Sequence, residues 1–227
     1  MDVLKRLDEL RGAIDVLEHP FYERWSAGEL GSAELARYAG EYAHAVRALA
    51  GASERAAARA GEWPGATREQ AGLRRHAEEE AAHVALWEQF ERACAAAADA
   101  PGADVPAGER GPLPQTRACV QAWQAGEDLL EHLAVLYAVE AGQPQISATK
   151  LKGLVEHYGF QHEGPATEYF RVHELRDVEH AGEARRLIGE LLAGADDTDG
   201  CGGRMVARAE GALRGNWLLL DGVEGRR

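Results

Sequence analysis

The sequence predicts an all-α fold, a single bundle of about seven helices, on three observations. Alanine, leucine, glutamate and arginine dominate, the residues that lose least on entering a helix. No segment sustains the two-residue alternation of a half-buried strand; apolar residues recur instead at helical spacing. With 227 residues, 45% of them hydrophobic, the chain can enclose one sizeable core and has no need of two, so 1–227 reads as one domain.

The elements follow in order. A first helix is expected over residues 2–18, and Pro20 opens a second that carries Phe21, Tyr22 and Trp25 and stops near Gly28. Ser32 is the expected N-cap of a long helix to about residue 60, with Leu35, Tyr38, Tyr42 and Val46 on one stripe. The run GEWPGATREQ ends it, and Thr67 with Gln70 three residues on has the form of a capping box for a helix reaching about Ala98. Residues 97–114 hold four of the eight prolines and read as an exposed loop within the bundle. One helix is expected over 115–141, ended by Gly142 and Pro144, then a short one over 147–158 with Gly159 as its C-cap. The stretch TEYFRVHELRDVEHAGEARRLIGELL reads as one uninterrupted helix to Ala193. After ADDTDGCGG comes a last amphipathic helix to about Leu220, and 221–227 is expected to fray.

Charge and cysteine content narrow the function classes. A net charge of −13 repels a polyanion, which argues against nucleic acid and for a small-molecule substrate. The N-terminal segment has charges every few residues and no signal-like apolar core. No run reaches the roughly 18 apolar residues of a membrane span, so the chain reads as cytoplasmic, with no membrane partner and a homodimer left open. Cys94, Cys119 and Cys201 are odd in number, widely spaced and without a CxxC pair, so they read as free thiols filling core space.

Chemistry concentrates on three segments. His173, Asp177 and His180 lie at i, i+4 and i+7 of one helix, hence on one face, beside the apolar arc that includes Phe170 and Leu187. Two imidazoles and a carboxylate form a mixed nitrogen–oxygen donor set suited to iron, manganese or zinc. In EEEAAH, His83 follows Glu80 by three residues and Glu79 by four, and either carboxylate neighbours it on a helix surface. Glu140 stands alone in the apolar run LAVLYAVEAG, where a carboxylate is costly unless paired, hydrogen-bonded or metal-bound. Three helices thus offer inward-capable ligands, about half of them anionic, as two divalent ions require.

These residues resemble those of the haem-oxygenase-like di-metal oxidases and oxygenases, a family sharing its fold with thiaminase-like and pyrroloquinoline-quinone-synthase-like proteins. The likeness covers nearly the whole chain: LEHPFYERWSAGEL resembles the family's opening segment, EEEAAHVALWEQF its first ligand helix, LYAVEAGQPQI its central glutamate and HELRDVEH its HxxxDxxH helix. The resemblance implies a haem-oxygenase-like bundle holding two non-haem metal ions, iron or an iron/manganese pair, with dioxygen as co-substrate. The implied ligands are Glu79 or Glu80, His83, Glu140, His173, Asp177 and His180. Within the family the sequence is most similar to the 4-aminobenzoate synthases that consume one of their own tyrosines. Tyr22 in HPFYERW matches the consumed tyrosine, and Lys150, ten residues after Glu140, matches the amine donor. The aromatic that those synthases carry beside the glutamate is Val139 here. The wider family also implies an alternative, an oxidase acting on an external amino-acid-like or fatty-acid-like molecule; a metal-free binding module is the reading from another class.

Overall fold

The structure, a computed structural model, describes residues 2–62, 69–98, 111–194 and 197–225. Among them it contains nine α-helices, one 3₁₀ turn and no strand. The all-α prediction holds; nine α-helices among the described residues stand against about seven expected, the helix read over 115–141 being two and the end of the first being the 3₁₀ turn.

Helix α1 spans Val3–Ala13, capped by the Asp2 carboxylate, which accepts from the Lys5 amide at 3.1 Å. The first helix was expected to run to 18; it ends at Ala13, and Asp15 caps a separate 3₁₀ turn at Val16–Glu18. Helix α2, Pro20–Ala27, begins with proline in its first turn and ends at Gly28, whose φ of 72° is the left-handed geometry glycine adopts freely. Helix α3 spans Ser32–Ala60. Its N-cap is Gly31, not Ser32: the Gly31 amide donates to the Glu34 carboxylate at 2.8 Å, which displaces the cap by one residue. The expected stripe of Leu35, Tyr38, Tyr42 and Val46 is buried.

Helix α4 spans Gln70–Ala97; Thr67, the first half of the expected capping box, lies outside the described residues, as does most of the expected loop. The single helix expected over 115–141 is two, α5 at Pro114–Gln124 and α6 at Leu129–Glu140. The break falls at Gly126, and the Asp128 side chain restarts the chain by accepting from the Glu131 amide at 2.9 Å. Helix α7, Gln143–Glu156, begins four residues before expectation because Gly142 and Pro144, read as a stop, open it, with proline in the first turn. Its C-cap is His157, and Gly159, expected there, follows with φ 74°. Helix α8 runs Glu168–Ala193 as expected, and α9 spans Thr198–Val223. The end of α9 does not fray at 221. Gly222 and Val223 are buried, and Glu224 accepts from Arg24 at 2.9 Å.

The centre of the bundle is α6. All twelve of its residues are buried, Glu131, His132 and Glu140 among them, and α3, α8 and α9 pack around it. Helix α4 lies along α3, and α2 lies against α7. The α2–α7 approach depends on Gly153, where a Cβ atom would stand 2.5 Å from the Trp25 indole nitrogen. That indole donates to the Lys150 carbonyl at 3.2 Å. No helix among the described residues is long and apolar enough to cross a membrane. Cys94, Cys119 and Cys201 are free; burial raises the pKa of the Cys94 and Cys119 thiols, as befits core filler.

Candidate metal centre

Helices α4, α6 and α8 bring seven ligand-capable side chains into one interior space. Helix α8 contributes His173, Asp177 and His180, all buried, from its i, i+4, i+7 face. Helix α6 contributes Glu140, and α4 contributes Glu80 and His83 together with His76. The side chains form three overlapping groups whose donor atoms lie within 4.8 Å of one another: His76, Glu140 and His180; Glu80, His83 and His173; Glu80, Asp177 and His180. Glu80 and His180 each belong to two groups, so the three groups form one continuous cluster. The rings of His76 and His180 are 4.0 Å apart, and those of His83 and His173 are 4.5 Å apart.

His76 was not among the predicted ligands. It precedes His83 by seven residues, two turns of one helix face, and Glu80 lies between them on that face. The signal was present in RRHAEEEAAH, masked by the density of charge that makes the segment look solvated. Of the two glutamates left open, Glu80 is the one brought into the cluster. It is 1% exposed and its Oε1 lies 3.0 Å from His83 Nδ1. Glu79 stands at the rim, with Oε2 3.2 Å from His180 Nε2 and Oε1 3.5 Å from Arg176.

The donor atoms fit a cation better than they fit one another. Both oxygens of Glu140, both of Asp177, Nε2 of His76 and His173 and Nδ1 of His180 are buried without a hydrogen bond. His76 Nε2 and Glu140 Oε1 are 2.9 Å apart but lack hydrogen-bond alignment, as two donors aimed at a third point would be. The opposite nitrogens of two imidazoles are spoken for. His173 Nδ1 faces the Tyr169 carbonyl at 2.7 Å, and His180 Nε2 faces Glu79, which leaves the buried nitrogen of each ring as the metal-facing one.

The electrostatics agree. Burial disfavours a charged His76, but Glu140 outweighs it and lifts the imidazole pKa to about 9. His180 also rises, against its own burial, through Asp177. Burial pushes the Asp177 carboxyl up and the His173 imidazole down. Glu80 is lowered, because its bond to His83 and the neighbouring imidazoles exceed the burial that opposes them. Without an ion the cluster balances three carboxylates by holding protons; divalent ions would displace those protons and take up the charge themselves.

The other two predicted residues lie in a separate, aromatic chamber of α2, α3 and α7. Tyr22 is 2% exposed, its hydroxyl 3.1 Å from that of Tyr38. Lys150 Nζ lies 5.7 Å from the Tyr22 ring centroid and 4.5 Å from that of Tyr42. Burial lowers the Lys150 pKa to about 7. Rings in sequence connect the two chambers: Tyr169 stacks on His173 at 3.8 Å, Trp87 meets Tyr169 at 4.8 Å and Tyr42 at 5.0 Å, and Tyr42 meets Tyr38 at 5.3 Å.

Against this geometry the comparisons with known proteins are informative. Residues 68–210 match the family model described as an iron-containing redox enzyme of the haem-oxygenase type. The chain belongs to that family. Among curated proteins this chain is 30% identical over 200 residues to a 4-aminobenzoate synthase of Chlamydia muridarum, covering 88% of this chain and 82% of that one. It is 29% identical to a 4-aminobenzoate synthase of Nitrosomonas europaea, covering 96% and 89%. Its fold is that of a TenA homologue from Pseudomonas syringae, with a TM-score of 0.79 at 18% identity, covering 98% of this chain and 91% of that one. A haem-oxygenase-like domain of unknown function from Shewanella denitrificans aligns with a TM-score of 0.77 at 20% identity, covering 99% and 93%. All seven ligand-capable side chains and Lys150 fall within the matched range, whereas Tyr22 precedes it.

Proposed function

We propose that this chain is a non-haem di-metal oxidase that uses dioxygen and makes 4-aminobenzoate from its own Tyr22, with iron, alone or paired with manganese, as the metal. The observation that carries the reading is the convergence of seven buried ligand-capable side chains whose donor atoms lack protein partners. Glu80, Glu140 and Asp177 would hold the ions' charge, and His76, His83, His173 and His180 would complete the coordination. When bound, such a pair supplies the activation and reduction of dioxygen.

The residues of the aromatic chamber support the choice of substrate. A tyrosine ring already has the product's para pattern, an oxygen opposite a one-carbon substituent, so the skeleton needs oxidation of that carbon, cleavage from Cα and exchange of oxygen for nitrogen. Lys150, with Nζ 5.7 Å from the Tyr22 ring centroid, would supply the nitrogen: a ring C–N bond forms as the ring oxygen leaves as water, and the Cε–Nζ bond of the lysine is then cleaved, with dioxygen as the oxidant. The depressed pKa of Lys150 leaves much of the amine neutral, hence nucleophilic, near neutral pH. Tyr38 holds the Tyr22 hydroxyl, and the surrounding rings keep water from the reacting atoms. The relatives named 4-aminobenzoate synthase, matched along most of both chains, favour the same product.

The test is anaerobic reconstitution of the purified chain with ferrous iron, then exposure to dioxygen. About two ions per chain, release of 4-aminobenzoate, a mass loss in the Tyr22 peptide and loss of the side-chain nitrogen in the Lys150 peptide are expected, all but the first vanishing in Tyr22→Phe. Absence of metal uptake would overturn the di-metal reading. Equal product from Tyr22→Phe would overturn the self-processing one and point to an external small molecule.

A further inference from the structure

The seven candidate ligands are nearly all sealed from solvent, yet ions must reach them. A polar cleft of 280 Å³ between α4 and α8 ends directly on two of them. Its floor is the His76–His180 ring pair, each residue 7% exposed, with the unpaired His76 Nε2 and His180 Nδ1 among the buried donors beneath. Its walls carry Glu79, Glu179 and Glu183 against Arg75 and Arg176. Three carboxylates against two guanidinium groups make the lining lean anionic, and the Arg176–Glu179 pair at 3.0 Å leaves that balance unchanged. The volume accommodates an ion with roughly six waters at about 30 Å³ each.

We infer that this cleft is the port through which metal ions enter the centre, with Glu79 as the carboxylate at its neck; the inference rests on the di-metal reading above. Glu79 is 28% exposed, in contact with solvent on one side and with the His180 ring on the other. A hydrated divalent ion loses its waters stepwise, so a path that offers a carboxylate first, two imidazoles next and the buried Glu140 last lowers the cost of each exchange. Glu79 is therefore a positioning residue. It receives the ion, then holds His180 by the ring nitrogen that does not face the metal.

Gly72 provides a direct test. It lines the cleft within α4, and a Cβ built there has no atom within 4 Å outside its own helix neighbourhood, so a large side chain can fill the opening without a clash at its root. The experiment follows uptake of ferrous iron by the chelator-stripped full-length chain under anaerobic conditions, and its release to an excess of chelator. Gly72→Phe is expected to slow uptake and release together by tenfold or more, leaving the final iron content unchanged, because a plug alters rates and not affinity. Gly72→Ala should load at the wild-type rate. Glu79→Gln should slow uptake several-fold and also weaken retention, and it decides the question if Gly72→Phe fails to fold. Wild-type loading rates in Gly72→Phe, or in Glu79→Gln where Gly72→Phe is unfolded, would overturn the port. Wild-type chain that takes up no iron at all would instead overturn the di-metal reading beneath it.

Discussion

Helix α6 buries two glutamates nine residues apart, and the protein treats them in opposite ways. Glu131, 1% exposed, accepts from Arg204 Nε at 2.9 Å, from Arg208 Nε at 2.8 Å and from the Glu127 amide at 3.2 Å. Burial works to raise its pKa, but these bonds, with the Arg208 guanidinium foremost, outweigh burial and leave it lowered. Glu140, 0% exposed at the other end of the helix, has no hydrogen bond to either oxygen, and its nearest charged neighbour is an equally unpaired imidazole. The same residue type on the same buried helix is thus a finished structural anchor in one place and an open ligand in the other. Burial alone does not separate the two; the inventory of partners does.

Substitutions at the two ends should therefore dissociate. Glu140→Gln is expected to give the largest effect, a loss of product of at least about 10²-fold, with iron falling to one ion per chain or fewer by elemental analysis. The melting temperature of the metal-free protein should fall only modestly, at neutral pH and below, where His76 is protonated against Glu140; a fall as large as that of Glu131→Gln would make Glu140 structural after all. Glu131→Gln should do the reverse. It removes the buried carboxylate charge that two half-exposed guanidinium groups share, leaving them Asp128 and Glu127, and lowers unfolding free energy by about 2 kcal/mol in urea titration, while iron content stays at the wild-type level. Loss of iron in that variant would erase the contrast.

Lys150 sharpens the comparison from the cationic side. Its pKa falls from the usual 10.5 to about 7, so between those values the unfolded chain binds a proton that the folded chain has released. This contribution therefore makes stability rise with pH from about 7 to 10.5, and below 7 the full cost of burying the charge is present. Lys150→Met should be more stable than wild type at pH 6, by about 2 kcal/mol or more at ~1.4 kcal/mol per pKa unit, and the gap should close toward pH 10 in paired denaturant melts. A gap that does not change with pH would mean that the amine stays in one protonation state. Arg204→Ala should have the smallest effect, a shift of the urea midpoint well below that of Glu131→Gln, because the guanidinium is solvated and Arg208 still holds Glu131.

Much of this was legible in the sequence, and the rest was hidden for definite reasons. HxxxDxxH can be read because spacings of four and three residues fix one helix face whatever the helix packs against, and Glu140 can be read because a lone charge in an apolar run must be explained. Glu79 and Glu80 could not be separated, since adjacent residues differ by about 100° around the axis and only the packed rotation of α4 decides which points inward. His76 was hidden by the same charged surroundings. The division of α5 from α6 had its signals in Gly126 and Asp128, but they were outweighed by the strong helix formers on both sides. Glycine and proline at 142 and 144 read as a stop when they were a start, because the same two residues serve either end according to register.

The burial of Tyr22 has a consequence for the life of the polypeptide. Its ring is wedged against Phe21, Trp25 and Tyr38, with almost none of it reaching solvent. Chemistry that carried the ring away would leave a hole in the core, and deleting a large aromatic from such a place destabilises a domain by roughly 3–5 kcal/mol. A used molecule would then open more often than a fresh one and fall sooner to proteases, so the cell's quality control would clear it without a separate mark.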